Sequence, residues 1–312
     1  MSFHARPGRA TILVFSLLSF LFAACGNPLG EPASGKLNVI ATYSILGDLA
    51  QNVGGDKVDA RTLVGPDGDA HTFAPSPADG AALIGATVVF ENGLEFEPWL
   101  DDLYASSDSK ATRVVVTDGI EPRMTPEEPG HSLGESDPHV WHSVANVIHM
   151  TRNIRDALAG ADPANAATYA ANAEAYIAKL QELDTWIFEQ VKTLPEARRK
   201  LVTSHDTFGY FAERYGFEIV GAALESASTE TADPSASDLA ALVDEIKAVG
   251  VPAIFAENVH NPKLMAQVAA EAGVTLAPQL YTDALGRPGS DGSTYLDMMR
   301  YNVITIVTEL GK

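Results

Sequence analysis

The chain has a single cysteine, Cys25. No disulfide can close within it, so the fold must be held by a buried apolar core. Basic residues are scarce: 21 Lys and Arg stand against 41 Asp and Glu, for a formal net charge of −20. Nucleic acid and anionic lipid both need basic patches, so neither is expected as a partner surface. Long apolar runs are missing as well. "TILVFSLLSFLFAA" spans only residues 11–24, short of the roughly 20 residues that cross a bilayer as a helix. Also absent are H-E-x-x-H, G-x-S-x-G and G-x-x-x-x-G-K-[ST], the spacings of zinc proteases, serine hydrolases and phosphate-binding loops. "TSHD" sets Ser204, His205 and Asp206 side by side, but triad residues meet through a fold and not along a chain. No enzymatic activity is expected.

What is present is an ordinary globular balance, 46% apolar and 20% charged, over 312 residues. That length suits two domains or one two-lobed unit. His4, Arg6 and Arg9 precede the short apolar run, and "FAAC" ends it at Cys25. This is the pattern of a secretory signal over residues 1–24 with a bacterial lipoprotein cleavage site. "GNPLGEPASGK" follows with the composition of a flexible tether, so residues 25–36 are expected to be a lipidated linker. The protein is then extracytoplasmic, held to the cell membrane by lipid on Cys25, in a periplasm or on an outer face.

From Leu37 onward, β-branched runs alternate with helical patterns. "LNVIATY" (37–43), "VDARTLV" (58–64), "TVVFEN" (87–92) and "TRVVVTD" (112–118) read as strands. So do "KLVTS" (200–204), "FEIVGAA" (217–223), "VPAIFAEN" (251–258) and "VTLAPQL" (274–280). This is the rhythm of βαβ units and parallel sheets. Between the two sets, an apolar stripe through Tyr169, Tyr176, Ile177, Leu180, Leu183, Ile187, Phe188, Val191 and Leu194 predicts one long helix, with Asp162 as N-cap and Pro163 as first residue. A helix of about thirty residues is about 45 Å long, too long for a local crossover. The expected architecture is α/β: a lobe over 37–160, a rigid linking helix over 161–195 and a second lobe over 196–312, each lobe a small parallel sheet flanked by helices.

In open parallel sheets, ligands bind beyond the carboxyl ends of the strands. His71 in "GPDGDAHTFAP", His139 in "DPHVWHS", His205 in "VTSHDTFGYF" and Asp283 in "LYTDALG" all sit at strand exits, two in each expected lobe. Three imidazoles and a carboxylate make a complete set for Zn²⁺. Such a set in the cleft between lobes leaves no coordination position for the water of a zinc hydrolase. His260 in "ENVHNP" also follows a strand, and placement alone does not exclude it. His131 falls in an acidic loop, and His149 off its helix's apolar stripe. His142 stands three residues from His139. Pro138 disfavours helix before His139, and Ser143 is a plausible N-cap for a helix starting at Val144, so the two histidines are not expected to share a helical face.

"DAHTFAP", "DPHVW", "TSHDTFGYFAERYGF", "DPSASDLAALVDEIKAVGVPAIFAEN" and "YTDALG" resemble, in order, segments of the zinc/manganese substrate-binding proteins of bacterial ABC transporters. The resemblance runs over nearly all of residues 37–312. It implies two lobes with a rigid linking helix, and a buried metal in the cleft. It also implies delivery of that metal to a permease in the cytoplasmic membrane, driven by a separate ATPase. The protein is expected to be a monomer. The family's ligands fall on His71, His139, His205 and Asp283. A third imidazole, where many manganese members have Glu, favours Zn²⁺ over Mn²⁺, which prefers oxygen donors. The His-rich loop of many zinc members is missing: residues 121–138 hold only His131. Outside this reading stand a metal-dependent hydrolase and an adhesin or structural lipoprotein stabilised by metal.

Overall fold

The computed structural model describes residues 1, 2, 4, 35–124, 136–224 and 234–312. Most of the signal segment, Cys25, the tether up to residue 34 and His131 lie outside the described residues. Among the described residues, no helix is long and apolar enough to cross a membrane.

The first half is β1 (Leu37–Ala41), α1 (Ser44–Gly54), β2 (Val58–Thr62), α2 (Pro77–Gly85), β3 (Val88–Glu91), α3 (Leu100–Ser107), β4 (Thr112–Val115) and α4 (Val144–Ala161). The four strands form one parallel sheet in the order β2–β1–β3–β4, with Val39 opposite Val88 and Ile40 opposite Val89. The central strands are apolar on both sides because both faces are covered. Ile40 and Val89 pack with Leu83 of α2 and Leu103 of α3. Val39, Val88 and Phe90 turn the other way, into a larger core with Leu46 and Leu49 of α1. α2 begins at a Ser76/Asp79 capping box with Pro77 as its first residue, which satisfies amide groups the helix start would leave unpaired.

The long helix is α5 (Ala166–Lys192), 27 residues, about 40 Å. Its buried residues are Tyr169, Ala173, Tyr176, Leu180, Leu183, Ile187 and Val191, a seam repeating at steps of four and three up to Ile187 and closing on a step of four. Ile177 and Phe188, expected on the stripe, are only half-buried at its edge. The expected start at Asp162 and Pro163 is instead a 3₁₀ turn, Pro163–Asn165. There the Asp162 carboxylate accepts hydrogen bonds from Asn165 Nδ2 at 2.7 Å and Tyr169 Oη at 2.8 Å, tying the α4–α5 corner together.

The second half is β5 (Lys200–His205), α6 (Gly209–Tyr215), β6 (Glu218–Leu224), α7 (Ala236–Val249), β7 (Ala253–Ile254), α8 (Lys263–Ala272), β8 (Thr275–Leu276) and α9 (Tyr295–Leu310). β5 pairs with β6 and β7 with β8, all parallel. One hydrogen bond, Phe255 N–H to Val202 O at 3.0 Å, sets β7 beside β5. The resulting sequence β6–β5–β7–β8 repeats the order of the first sheet. β7 and β8 are far shorter than the runs 251–258 and 274–280 suggest. The Thr275 and Ala277 N–H groups donate to Pro252 O and Ile254 O, but the next donor to this ladder is Leu280, to Ala256 O, where the alternation calls for Gln279. The register slips by one residue, and pairing returns only as a bridge between Glu257 and Leu280. α9 then packs back against α5 and α1. Its Met298, Val303, Ile306 and Leu310 join the same core as Val39.

Candidate metal centre

Each candidate side chain is fixed by its own local frame. His71 lies in the loop after β2, where its N–H donates to Asp69 Oδ1 at 2.8 Å and Trp99 Nε1 donates to the carbonyl of Ala70 at 2.7 Å. Phe96 meets the His71 ring edge-on, 4.5 Å between centroids. His139 follows Asp137 and Pro138. Asp137 Oδ1 accepts from the His139 N–H at 3.0 Å and lies 2.9 Å from its Nδ1, while Arg123 holds the other carboxylate oxygen at 3.0 Å. His205 is the last residue of β5. Its N–H donates to Glu257 Oε1 at 2.9 Å, and its Nδ1 lies 2.5 Å from Glu257 Oε2. Asp283 lies between β8 and α9, near the end of β5, and Thr207 Oγ1 approaches its Oδ1 at 3.4 Å.

These frames aim four groups at one point. Nε2 of His139 lies 3.3 Å from Nε2 of His71 and 3.3 Å from Nε2 of His205. Asp283 Oδ2 is 3.3 Å from His205 Nε2 and 3.7 Å from His71 Nε2, and its Oδ1 is 3.7 Å from His139 Nε2. Four donors bound tetrahedrally at about 2.0–2.1 Å stand about 3.4 Å apart. His139, His205 and Asp283 are fully buried and His71 is 2% exposed. The carboxylates of Asp137 and Glu257 hold the Nδ1 sides of His139 and His205, which turns their Nε2 atoms toward each other. Asp283 Oδ2 accepts no hydrogen bond. Donor atoms converging in a dry interior repel unless a proton or a metal cation sits among them.

The electrostatics agree. Burial pushes the His71 imidazole down to about 4, against the pull of Asp283. Burial also opposes charge on His205, but the Glu257 and Asp283 carboxylates outweigh it and hold that ring's pKa well above the usual value. Asp283 is held below the ordinary carboxylate range, because His205 and His139 outweigh its burial. Without metal, the site is an internal ion pair of His205 and Asp283.

His142 stands apart from the four. It ends a 3₁₀ turn, Val140–His142, ahead of α4. Ser143 occupies the N-cap position, although its side chain makes no capping bond. The His142 ring is fully buried on Phe208, with Nε2 3.2 Å from Thr207 Oγ1 and Nδ1 without a partner. His149 bonds the carbonyl of Asp118 at 2.8 Å. His260 touches the cluster from outside, its Nε2 3.3 Å from His205 Nδ1. Sequence reasoning missed Asp137 and Glu257. Asp137 was signalled by its place two residues before His139, and Glu257 by a charge ending the apolar run "VPAIFAEN".

Residues 39–309 match the family described as zinc-uptake complex component A, periplasmic. The chain belongs to that family. Zinc-uptake complex component A proteins are uptake components and not enzymes. The chain is 37% identical to the manganese-binding lipoprotein MntA of Halalkalibacterium halodurans, over 96% of its own length and 97% of the relative's. Among solved structures it is similar to the periplasmic zinc-binding protein TroA from Treponema pallidum. There the TM-score is 0.82 at 29% identity, covering 88% of this chain and 99% of the other. A manganese-bound periplasmic metal-binding protein from Candidatus Liberibacter asiaticus matches with TM-score 0.78 at 29% identity, covering 88% of this chain and 100% of the other. Relatives named for zinc and for manganese thus share one fold.

Proposed function

We propose that the chain is the substrate-binding component of a metal ABC importer, and that it captures one divalent transition-metal ion with His71, His139, His205 and Asp283. It hands that ion to a permease in the cytoplasmic membrane, driven by a separate ATPase. The observation that carries this reading is the convergence of three Nε2 atoms and an unbonded carboxylate oxygen at 3.3–3.7 Å in a buried site. The family membership supports it. The protein works outside the cytoplasm as a monomer, with lobes over 37–160 and 196–312 and lipid on Cys25. Cys25→Ser should release it from membranes into the soluble fraction.

The cargo is read as Zn²⁺ because three imidazoles and one carboxylate suit it better than they suit Mn²⁺. Mn²⁺ is the second reading, favoured by the manganese-binding relative at 37% identity. Divalent affinities rise from Mn²⁺ toward Cu²⁺ and Zn²⁺ at a given site, so tight Zn²⁺ binding alone does not name the cargo. The deciding experiment pairs two measurements. Chelator-stripped protein re-exposed to mixed Zn²⁺ and Mn²⁺ should return loaded with Zn²⁺, and cells lacking the protein should lose Zn²⁺ uptake. Loss of Mn²⁺ uptake alone would favour the second reading. A stripped protein that takes up neither ion would refute the function.

A further inference from the structure

His260 is not needed by the four-ligand site, yet it lies against it. It follows β7 and is half-buried, whereas the inner groups are buried. Its ring meets His205 edge-on, 4.9 Å between centroids and 84° between planes. Its Nε2 is 3.3 Å from His205 Nδ1, and the same Nδ1 is 2.5 Å from Glu257 Oε2. One ligand atom from each of His205, Glu257 and His260 lies within 4.8 Å of the other two. The His205 ring therefore separates two donor sets. Nε2 faces His71, His139 and Asp283, and Nδ1 faces Glu257 and His260.

We propose that His260, Glu257 and Nδ1 of His205 form a second, outer site for a divalent transition-metal ion, where the cargo pauses on its way between solvent and the inner four ligands. The inference rests on the inner-site reading above. Two imidazole nitrogens and a carboxylate oxygen suit the same class of ion, with Nδ1 and Oε2 parting from their present 2.5 Å hydrogen bond as the ion enters. Three protein donors leave a coordination position for water, so the outer site is weaker and exchanges faster. His260 supplies the contact with solvent that the inner ligands lack.

The two sites exclude each other through one ring. A neutral imidazole has one bare nitrogen and one N–H. When Nε2 of His205 binds the inner ion, its hydrogen is on Nδ1, directed at Glu257. When Nδ1 binds the outer ion, that hydrogen sits on Nε2, and the ring is lost to the inner site. Passage inward moves the ion from Nδ1 to Nε2 and one proton the opposite way, so no net charge changes on the ring. The chain holds one ion at a time on His205, and a second cannot follow until the first has left.

The test separates this from the inner-site reading. The wild-type chain should bind one Zn²⁺ per chain in equilibrium dialysis. His71→Ala/His139→Ala removes two inner ligands and leaves the outer three. It should still bind one Zn²⁺, at least about a hundredfold more weakly, and adding His260→Ala should abolish that binding. If the double variant fails to fold, the single variant His260→Ala carries the test by stopped-flow: its Zn²⁺ capture and its release to a chelator should both slow several-fold. Wild-type binding with no Zn²⁺ on a folded double variant overturns the outer site alone. So does residual binding that survives His260→Ala, or unchanged capture and release rates. A wild-type chain that binds no Zn²⁺ overturns both readings.

Discussion

Glu257 grips His205 twice: one carboxylate oxygen accepts the backbone N–H at 2.9 Å, and the other lies 2.5 Å from Nδ1 of the same residue. One side chain therefore sets both the position of the strand end and the orientation of its ring. A carboxylate behind a ligating histidine fixes the tautomer and raises its basicity. Glu257→Gln keeps the size and an acceptor but loses the charge. Zn²⁺ affinity, measured by competition with a chelator, should fall by about 10–100-fold. A change under about twofold would mean that Glu257 serves the fold and not the site.

The pH dependence follows from His205. Its pKa is raised in the metal-free site, where burial is outweighed by Glu257 and Asp283, so at neutral pH it carries a proton that the metal must displace. His71, pushed down to about 4 by burial, is already free of its extra proton. Affinity should therefore rise with pH by about tenfold per unit around neutrality, with about one proton released per ion. Titration in weakly buffered solution reads the proton directly. Release of three, or of none, would contradict this charge state.

His139 and His142 should behave differently. His139→Ala removes a group at the focus of the site and should weaken Zn²⁺ binding at least about tenfold. His142→Ala should leave the ion bound but cost about 2 kcal/mol or more of stability, because it opens a cavity against Phe208. Chelator competition and denaturant unfolding separate the two effects. Equal losses of affinity would place both histidines on the metal.

Burial also pushes the His142 imidazole down to about 3. The unfolded chain binds that proton near about 6.5, so the folded state holds fewer protons between those values. Its contribution is full above the unfolded value and drains away as pH falls through that window, by at most about 1.4 kcal/mol per unit. His142→Phe keeps the ring packing and removes the titration. The variant should lose less stability than wild type between pH 7 and 5, in urea melts of metal-free protein. Parallel losses would remove His142 from the account.

Metal-free and loaded forms should have nearly the same radius of gyration. The two halves of the chain are stitched beside the site: Trp141 Nε1 donates to Thr282 O at 2.9 Å and Tyr295 Oη to Trp141 O at 2.7 Å. The N–H of Leu285 adds a bond to Ser44 Oγ at 2.9 Å. Opening wide would break all three in a dry interior. Solution scattering that shows a difference of several Å would contradict this.

Much of the arrangement was legible because parallel sheets write themselves plainly. Buried strands are short β-branched runs, and the seam of α5 repeats over seven turns without Gly or Pro. His71, His139, His205 and Asp283, which the fold brings within 3.3–3.7 Å, could be proposed together because each follows a strand or its extension. What could not be read depends on neighbours remote in sequence. Glu257 matters through the alignment of β5 with β7, which no local pattern encodes. The pairing of β8 is cut by a one-residue slip between Ala277 and Leu280, inside an apolar run. Which nitrogen of His205 faces inward is decided by where Glu257 lands.

α5 buries a seam from Tyr169 to Val191, against helices from both ends of the chain. One residue added within it would turn everything beyond by about 100°, and seven would restore the seam but displace it by about 10 Å. Either change would carry His205 and Asp283 away from His71 and His139. The helix therefore serves as a ruler whose length admits no small error: substitutions along its exposed face should be tolerated, while insertions and deletions should not.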